Sequence, residues 1–292
     1  MTGQIIDGLA VALDVRSRIK QAVCELKKRH DVIPCLATVL VGDDPASSTY
    51  VKNKQKAAAA VGIITRDHKL SSSIKQYELI ELIKLLNQDF SIHGILVQLP
   101  LPAHIDELAI VDLIKPAKDV DGLTPFNAGM LLNGKGNLKP CTPSGIIELL
   151  DFYKIDVNRK DAVIVNRSNL VGKPLALLLL ERNATVTICH SKTKGLDEKL
   201  KGADLIITAV GDRQHFILTE DMVKNDAVVI DVGITRDKGK LMGDVDFQAV
   251  KKKVSWITPV PGGVGPMTVS MLLKNTVSAA LSISKKEMNQ KL

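Results

Sequence analysis

The sequence predicts an α/β protein with two domains, each containing a parallel sheet that helices cover on both faces. Short apolar segments of strand length alternate with helical segments in the first half of the chain, and a second alternation begins near residue 162. Strands that are apolar along their whole length are typical of parallel sheets, because both of their faces are buried. A chain of 292 residues is long enough for two domains, each with its own core.

Composition and charge exclude several classes of protein. The hydrophobic share of 45% and the charged share of 24% are those of a globular protein rather than a disordered or fibrous one. The net charge is +7, but the basic residues are scattered and few aromatic side chains could stack on bases, so we do not expect nucleic acid binding. A mild positive charge suits an anionic small substrate or cofactor, although solvated surface explains it as well. With no stretch of the ~18 apolar residues that a membrane helix needs and no secretory core, we expect a cytoplasmic protein.

The helix predicted from Ser47 to Val61 carries a candidate catalytic lysine. Asp44-Pro45 before it supplies a start signal, and Gly62 supplies a C-terminal cap. At roughly 100° per residue, Tyr50 and Lys54 share a face, which an apolar stripe at positions 57, 58 and 61 continues towards the interior. A half-buried lysine loses part of its preference for the charged form, so Lys54 is a candidate acid or base. The alternative is a lysine that only extends its ammonium from the helix edge into water.

Gln98 is a second candidate, at the end of a predicted strand. The first domain should contain a helix over residues 9 to 29, strands at 35 to 41, near 63 to 68 and at 94 to 97, and a helix near 74 to 88. Gln98 follows the last strand, and prolines at 100 and 102 force a turn there. Functional groups gather at the carboxyl ends of parallel strands, so Gln98 and the Tyr50–Lys54 helix can converge on one cleft. A loop-capping amide is the alternative interpretation.

Residues 115 to 122, with the sequence Lys-Pro-Ala-Lys-Asp-Val-Asp-Gly, are predicted to form a loop. Asp119 and Asp121 could hold a metal ion, but no histidine or third carboxylate is nearby, so we expect no metal. The four cysteines are widely spaced and are expected to be reduced thiols. Turn-forming contacts and hydrogen bonds from a nitrogen-rich ligand both stay open for these aspartates.

The second domain is predicted to be Rossmann-like. A helix with Thr142 as its N-cap and Pro143 at its first position leads into it. Apolar strands follow at 162 to 165, 185 to 189, 205 to 209 and 228 to 232, the pattern of a nucleotide-binding domain. A loop rich in proline and glycine at 258 to 268 suits recognition through the backbone. The apolar helix after it, from about Met267 to Ile283, is expected to pack on the first domain.

The residues at the first two strand ends favour NADP over NAD. The fingerprint GxGxxG is absent, and the first turn carries Asn166, Arg167, Ser168 and Gly172 before a helix whose N-terminal amides can face a phosphate. An NAD enzyme places an acidic residue at the end of the second strand, where this chain has His190-Ser191-Lys192-Thr193. Together with Arg167 this segment predicts a pocket for the additional phosphate of NADP.

Seven motifs occur in the same order in one family, which the chain resembles over nearly its whole length: the bifunctional methylenetetrahydrofolate dehydrogenase/methenyltetrahydrofolate cyclohydrolases. No single motif decides the resemblance, but seven in order do. The motifs are Tyr50-Val-Lys-Asn-Lys54, Val97-Gln-Leu-Pro-Leu-Pro102, Lys118-Asp-Val-Asp-Gly122, Pro140-Cys-Thr-Pro143, Val171-Gly-Lys-Pro174, Cys189-His-Ser191 and Pro259-Val-Pro-Gly-Gly-Val-Gly-Pro-Met-Thr268.

The resemblance implies a domain division, an activity and an assembly. It implies an N-terminal αβα folate-binding and catalytic domain (1–141 plus 270–292), a Rossmann-like NADP domain (142–269) and an active-site cleft between them. The implied activity is NADP-dependent oxidation of 5,10-methylenetetrahydrofolate to 5,10-methenyltetrahydrofolate, followed by hydrolysis to 10-formyltetrahydrofolate. The family is typically homodimeric through its nucleotide domains, with folate as the substrate and no nucleic acid or membrane partner.

The resemblance also implies roles for individual residues. Lys54 would be the catalytic lysine, Tyr50 would stack on folate, Gln98 would tune Lys54, and Asp121 would anchor the pterin. The residues expected beside folate also include Pro261, Gly262, Gly263 and Met267, and those expected beside NADP are Asn166, Arg167, Ser168, Ser191 and Ile234.

Two positions depart from the family pattern and affect the expected geometry of cofactor binding rather than the fold. Asn166 stands where the family usually has glycine, and asparagine tolerates positive φ better than most residues. Arg213 stands where the family commonly has proline.

Three other kinds of protein share part of this pattern. The spacing Tyr50-x-x-x-Lys54 also occurs in short-chain dehydrogenases, but those enzymes place the nucleotide turn before the pair, whereas here it comes well after. A shikimate-dehydrogenase-like NADP oxidoreductase has the right domain order, yet it does not account for Gln98 or the Pro-Gly-Gly loop. In a nucleotide-binding regulator without catalysis, Lys54 would form only a structural contact.

Overall fold

The computed structural model describes residues 2–237 and 239–290, and the chain forms two compact units. The three-stranded unit consists of Asp14–Lys139 and Val269–Leu292, and the six-stranded unit of Met1–Leu13 and Pro140–Thr268. The predicted domain changes at 141/142 and 269/270 lie within two residues of these boundaries. The first thirteen residues differ from the prediction, which placed them in the first domain, because Gln4–Ile5 pairs with Trp256–Ile257 in the larger sheet. Lys291 and Leu292, also assigned to the first domain, lie outside the described residues.

The secondary structure follows the predicted alternation, and every predicted strand is present to within two residues. The strands are β1 Gln4–Ile5, β2 Cys35–Val41, β3 Ile64–Leu70, β4 Gly94–Val97, β5 Asp161–Val165, β6 Thr185–Cys189, β7 Leu205–Thr208, β8 Val228–Asp231, β9 Thr235–Asp237, β10 Lys240–Met242 and β11 Trp256–Ile257. The helices are α1 Gly8–His30, α2 Pro45–Val61, α3 Gln76–Gln88, α4 Glu107–Asp112, α5 Pro125–Leu132, α6 Cys141–Phe152, α7 Gly172–Leu180, α8 Leu196–Gly202, α9 Phe247–Val250 and α10 Gly265–Gln290.

The three-stranded unit contains a parallel sheet with the order β3-β2-β4. Every residue of the central strand β2 is buried, as its continuous apolar run predicts. Helix α3 buries Leu79, Ile83 and Leu86 against this sheet. Spacings of four and three residues place these side chains on one face of the helix.

The C-terminal helix α10 packs in the three-stranded unit. The Asn275 side-chain amide donates to the carbonyl oxygens of Val120 (2.8 Å) and Lys139 (2.9 Å). At the start of the part of α10 that belongs to this unit, Arg16 Nε donates a hydrogen bond to Ser270 Oγ at 3.1 Å. The predicted packing of the last helix on the first domain is therefore confirmed.

The six-stranded unit contains a parallel sheet with the order β1-β11-β8-β7-β5-β6. The four predicted strands form one side of this sheet. Strands β1 and β11 escaped prediction because two residues are too few to produce a recognisable apolar run. The antiparallel hairpin of β9 and β10 was not predicted either. Its strands have three residues each.

Two local predictions were wrong. Helix α6 begins at Cys141 with Pro140 as its N-cap residue, two residues earlier than expected, and the Thr142 hydroxyl forms a hydrogen bond with the Thr268 hydroxyl at 3.1 Å instead of capping the helix. The loop at 115 to 122 contains a 3₁₀ turn at Pro116–Lys118, since proline is well tolerated at the first position of a helical turn.

Candidate functional site

The Lys54 side chain lies where its helix predicts and contacts Gln98. Lys54 is partly buried on α2, while Ala57, Ala58 and Val61 on the same face are buried. Its Nζ donates a hydrogen bond to Gln98 Oε1 at 3.0 Å. The structure therefore brings together the two residues that the sequence placed at one sheet edge.

Gln98 is fixed in an orientation that presents its oxygen to the lysine. Its backbone N–H donates to the Val39 carbonyl at 2.9 Å, which continues the ladder between β2 and β4. Its side-chain Nε2 donates to the Leu99 carbonyl at 2.8 Å, so Oε1 remains as the acceptor for Lys54. An ammonium has three N–H donors, and the contact with Gln98 uses one of them. This arrangement holds the Lys54 side chain in place beside Gln98.

Tyr50 lies one helical turn before Lys54 and is 46% exposed. An exposed aromatic ring on the same helix face as the lysine offers a flat apolar surface to a planar ligand.

The two aspartates of the Lys118-Asp-Val-Asp-Gly motif have different environments. Asp119 is buried and accepts hydrogen bonds from the Leu123 and Thr124 amides at 3.2 and 2.8 Å, and from Asn127 Nδ2 at 2.8 Å. It therefore makes the turn contacts that the sequence left open. Asp121 is partly exposed.

The motif that contains Asp121 is attached to β4. A parallel bridge pairs Ile95 with Asp119, and the chain then turns at once, since the Gly122 amide donates to the Asp119 carbonyl at 3.1 Å. The preceding Lys118 is buried and donates Nζ to the carbonyls of Leu86 and Asp89 at the end of α3 (3.0 and 2.7 Å). A helix end leaves such carbonyls without intrahelical partners, so Lys118 anchors the motif.

Asn166 organises the turn between β5 and α7 through its side chain. Its Oδ1 accepts from the amides of Ser168 (2.8 Å) and Gly172 (3.0 Å), and its Nδ2 donates to the Ala209 carbonyl after β7 (2.6 Å). Asn166 is not among the residues with positive φ, so the expectation based on tolerance of positive φ was wrong. A Cβ on Gly172 would lie 2.2 Å from the Asn166 carbonyl oxygen. Only glycine permits this close approach at the start of α7.

Arg167 and Ser191 follow neighbouring strands. Val165 of β5 pairs with Cys189 of β6, so the segments after both strands start side by side at the carboxyl edge. Arg167 and Ser191 are both exposed. His190 and Thr193 hold the turn after β6, since the His190 amide donates to Thr193 Oγ1 at 2.8 Å. His190 and Thr193 thus fix the shape of the turn, while the Ser191 hydroxyl and the Arg167 guanidinium are exposed.

Arg213, the second departure from the family pattern, joins two loops. Its guanidinium Nη1 donates to the carbonyl of Gly243 and to that of Val245 (3.1 Å). A proline at this position could make neither contact. The arginine thus substitutes hydrogen bonds to the neighbouring loop for the rigidity of a proline ring.

The Pro-Gly-Gly loop is supported by the N-terminus of α1. The Leu9 amide donates to the Gly262 carbonyl at 3.2 Å, and Gly262 has a φ of +105°. A Cβ on Gly8 would lie 1.7 Å from the Gly263 carbonyl oxygen, so the chain approaches the loop too closely for a side chain. This support was not predicted, although a glycine at the start of a helix was a visible signal.

The predicted residues at the remaining positions differ in exposure. Ile234 follows β8 and is 45% exposed, as a cofactor contact requires. Pro261 is exposed and Gly263 is buried. Met267 has no exposed surface and packs against Gly145, where a Cβ would lie 2.8 Å from the Met267 Cβ. Its part in substrate binding stays a prediction.

Comparison with known proteins identifies the family. Residues 140–284 match the model of the tetrahydrofolate dehydrogenase/cyclohydrolase NAD(P)-binding domain, and residues 6–121 match that of the tetrahydrofolate dehydrogenase/cyclohydrolase catalytic domain. The chain belongs to the tetrahydrofolate dehydrogenase/cyclohydrolase family. This membership supports the predicted enzyme class, an NAD(P)-dependent oxidoreductase with a hydrolase activity in folate one-carbon chemistry, and neither a shikimate-dehydrogenase-like enzyme nor a regulator.

Individual relatives agree with this assignment. The bifunctional protein FolD of Nitrosopumilus maritimus is 58% identical over 280 residues, which are 96% of this chain and 97% of the relative. The crystal structure of the Campylobacter jejuni bifunctional enzyme FolD is 49% identical and superposes with a TM-score of 0.92, covering 96% of this chain and 99% of that one. The Trypanosoma brucei enzyme, solved with an NADP cofactor and an inhibitor, is 38% identical with a TM-score of 0.91 and covers 99% of both chains. The predicted fold class and family are confirmed.

Two further properties concern the part of the chain that the structure describes. Within residues 2–237 and 239–290, no helix is long and apolar enough to cross a membrane. Within the same residues, no cluster of three or more histidine, cysteine, aspartate or glutamate side chains could hold a metal ion.

Proposed function

We propose that the chain oxidises 5,10-methylenetetrahydrofolate to 5,10-methenyltetrahydrofolate with NADP and hydrolyses the product to 10-formyltetrahydrofolate. The observation that carries this proposal is the contact between Lys54 Nζ and Gln98 Oε1 at 3.0 Å, at the carboxyl edge of a parallel sheet in a member of this family. A lysine side chain can donate and accept protons, and the hydrolytic step needs a group that moves them.

The oxidation step depends chiefly on alignment. The two nitrogens that flank the methylene carbon donate electron density and stabilise the methenyl cation that forms when a hydride leaves. When bound, NADP supplies the hydride acceptor. The chain's own part is to hold the reacting atoms close and correctly oriented, and Lys54 should contribute less here than in hydrolysis.

The hydrolysis step requires proton transfer. Water adds to the methenyl carbon, one carbon–nitrogen bond of the ring breaks to leave the formyl group, and a proton is released overall. We assign Lys54 as the group that moves protons between the water-derived oxygen and the ring nitrogen. Gln98 keeps the lysine in position through its Oε1, and the exposed Tyr50 ring covers the folate from the same helix face.

We assign Asp121 as the anchor of the pterin. A carboxylate accepts hydrogen bonds through both oxygens, and a pterin presents an amino group and a ring N–H side by side. The partial exposure of Asp121, in contrast to the burial of Asp119, supports this choice between the two aspartates.

The cofactor phosphates are assigned to the turns after β5 and β6. The fit is supported by the close approach of the chain that Gly172 permits and by the positive dipole end of the nine-residue helix α7, which favours a phosphate nearby. The amides of Gly172 and Lys173 themselves already donate to Asn166 Oδ1 and to the Ser168 carbonyl. Asn166 and Ser168 shape this turn. The exposed Arg167 and Ser191 would bind the additional phosphate of NADP.

Two assays on one preparation test the proposed function. Methylenetetrahydrofolate with NADP should produce NADPH, followed at its own absorbance, and methenyltetrahydrofolate added alone should lose its absorbance faster than in buffer. Heat-denatured protein is the control. Absence of either activity in folded protein would contradict the proposal.

We further propose a homodimer through the six-stranded unit and a cytoplasmic location. Supporting the first, β6 is the last strand of its sheet within the described residues, and its Ile188 is 38% exposed. An open strand edge with apolar exposure favours pairing with a second copy. Light scattering coupled to gel filtration should give the mass of two chains, and substitution of Ile188 by lysine should reduce it to one.

A further inference from the structure

Two buried aspartates in the six-stranded unit take no part in the proposed chemistry. Asp231 at the end of β8 is 3% exposed, and Asp244, two residues after β10, has no exposed surface. The Asp244 carboxylate accepts hydrogen bonds from two consecutive amides, those of Val210 (2.6 Å) and Gly211 (2.9 Å). These amides belong to the segment that follows β7.

The Asp231 carboxylate accepts a hydrogen bond from the backbone of Asp244 and hydrogen bonds from three other groups. Its Oδ1 accepts from the amides of Asp244 (2.9 Å) and Gly233 (3.2 Å) and from the Thr208 hydroxyl (3.3 Å), while its Oδ2 accepts from the Val245 amide (3.0 Å). Burial raises the pKa of the Asp231 carboxyl to about 6, so above neutral pH it is mostly ionised and accepts from all four donors. The two carboxylates thus connect the segments after β7, β8 and β10.

Two glycines next to these carboxylates, Gly233 and Gly243, leave no room for a side chain. A Cβ on Gly233 would lie 2.1 Å from the Asp244 carboxyl, and a Cβ on Gly243 would lie 1.9 Å from Asp231 Oδ2. Real Cβ atoms do not approach so closely, so both positions require glycine. Immediately beyond lie Val210 and Ile234, which are 38% and 45% exposed at the carboxyl edge.

The position in the sheet indicates which part of the cofactor meets this edge. The proposed site of the additional NADP phosphate lies after β5 and β6, and the sheet continues from β5 to β7 and β8. Strands lie roughly 4.8 Å apart, so β6 and β8 are about 14 Å apart. An extended dinucleotide with its adenosine end near β6 therefore brings its nicotinamide end above β7 and β8.

We propose that Asp244 and Asp231 are positioning residues for hydride transfer. They hold the backbone at Val210–Gly211 and Gly233–Ile234 in the shape that seats the nicotinamide end. Neither carboxylate touches the cofactor, because both are buried beneath this backbone. The inference rests on the proposed dehydrogenase function and adds to it two residues that bind no ligand.

The bifunctional chain supplies its own internal control. Hydrolysis of methenyltetrahydrofolate consumes no redox cofactor, so a defect confined to the nicotinamide seat should leave it intact. A purely structural role in stability would instead reduce both activities in proportion to the folded fraction. The ratio of the two activities distinguishes these roles.

The test variant is Asp244→Asn, and its matched control is Asp246→Asn. The amide would place an NH₂ group against a backbone N–H of Val210 or Gly211, so one of the two contacts is lost and becomes repulsive. Asp246 undergoes the same chemical change two residues away, where it accepts from the Ala249 amide at the start of α9 on the exposed surface. Both activities, the KM for NADP and the melting temperature are measured for wild type and both variants.

We expect the dehydrogenase kcat of Asp244→Asn to fall roughly tenfold to a hundredfold, with its KM for NADP within threefold and its cyclohydrolase rate within twofold of wild type. Asp246→Asn should match wild type in all three quantities. Unchanged activities, or equal loss of both, would overturn the positioning role.

If Asp244→Asn does not fold, Gly233→Ala, which disturbs the same carboxyl from the opposite side, is judged by the same criteria. Wild-type protein without dehydrogenase activity would contradict the proposed function itself.

Discussion

The two sheet edges of this molecule present their functional groups in different ways. At the three-stranded sheet the proposed chemistry depends on one partly buried side chain, Lys54, which contacts Gln98. At the six-stranded sheet the proposed site is shaped largely by its backbone, which the partly buried Asn166 and the buried Asp244 hold in place. A proton-transferring site must present a titratable group, whereas a site for phosphates and a planar ring can use amides and glycines. Substitution of Lys54 should therefore remove chiefly the hydrolysis, whereas substitutions at the second edge should alter the binding or alignment of the cofactor.

The largest expected effect is the loss of hydrolysis when Lys54, at the edge of the three-stranded sheet, is replaced. Lys54→Met keeps the aliphatic part of the side chain and removes the ammonium, so cyclohydrolase activity should fall roughly a hundredfold to ten-thousandfold while part of the dehydrogenase activity remains. The absorbances of methenyltetrahydrofolate and NADPH are followed separately in this variant.

The control for this variant is Lys52→Met on the same helix. Lys52 is exposed and points away from Gln98, so its loss should leave both rates within twofold. Equal loss of both activities in Lys54→Met would contradict the assignment, as would hydrolysis that survives intact.

The sequence predicts the functional residues of the first edge better than those of the second, because the first presents a reactive side chain and the second a shaped backbone. Lys54 and Gln98 are recognisable because a helical face and a strand end place reactive side chains directly. The carboxylates of Asp231 and Asp244 act through the backbone of residues distant in sequence, so no local pattern reveals them. Asp231 does stand at a predicted strand end, but two of its four donors, the amides of Asp244 and Val245, follow the hairpin that was not predicted. The strands β1 and β11 were missed because the sheet itself, rather than an apolar run, holds them in place.

A second prediction tests substrate binding at the first edge. Asp121→Asn replaces an acceptor with a donor that faces the pterin nitrogens, so a charge-assisted contact worth about 1.5 to 3 kcal/mol is lost. Both activities should fall together, roughly tenfold to a hundredfold in kcat/KM, because both reactions use the same folate site. Calorimetry with a non-reacting folate measures the binding directly.

The control is Asp112→Asn at the exposed end of α4, which should leave folate affinity unchanged. If Asp121→Asn binds folate as tightly as wild type, the placement of the pterin is wrong.

A third prediction concerns the second edge and changes a preference rather than a rate. Arg167→Ala removes the guanidinium assigned to the additional phosphate of NADP, so kcat/KM with NADP should fall about tenfold to a hundredfold relative to that with NAD. The two cofactors are compared in the same dehydrogenase assay, with Arg29→Ala, an exposed substitution in the last turn of α1, as the control for loss of positive charge. An unchanged ratio of the two kcat/KM values would show that Arg167 does not select the phosphate.

The smallest expected effect comes from a carboxylate at the opposite, amino edge of the six-stranded sheet. Asp204 precedes β7 and accepts hydrogen bonds from Lys224 Nζ (2.7 Å) and from the Asp161 amide (2.9 Å). The bond from Lys224, followed by that from Asp161, lowers the pKa of the Asp204 carboxyl below its ordinary value. A lowered pKa in the folded state means that this stabilisation is present above the ordinary pKa of about 3.9 and is lost as the pH falls through the folded-state pKa.

Asp204→Asn should therefore lower the free energy of unfolding by about 0.2 to 1 kcal/mol at neutral pH, the range for a partly exposed ion pair. The difference from wild type should shrink below pH ~4, where the wild-type carboxyl is protonated as well. Urea unfolding of wild type, Asp204→Asn, Lys224→Met and the double variant gives the coupling between the two side chains. Because the pair lies at the edge away from the ligand-binding turns, the ratio of dehydrogenase to cyclohydrolase activity should stay that of wild type. A changed ratio would mean that residues at the amino edge of the six-stranded sheet also affect the cofactor site. The shape of that site would then depend on the whole sheet and not only on the residues at its carboxyl edge.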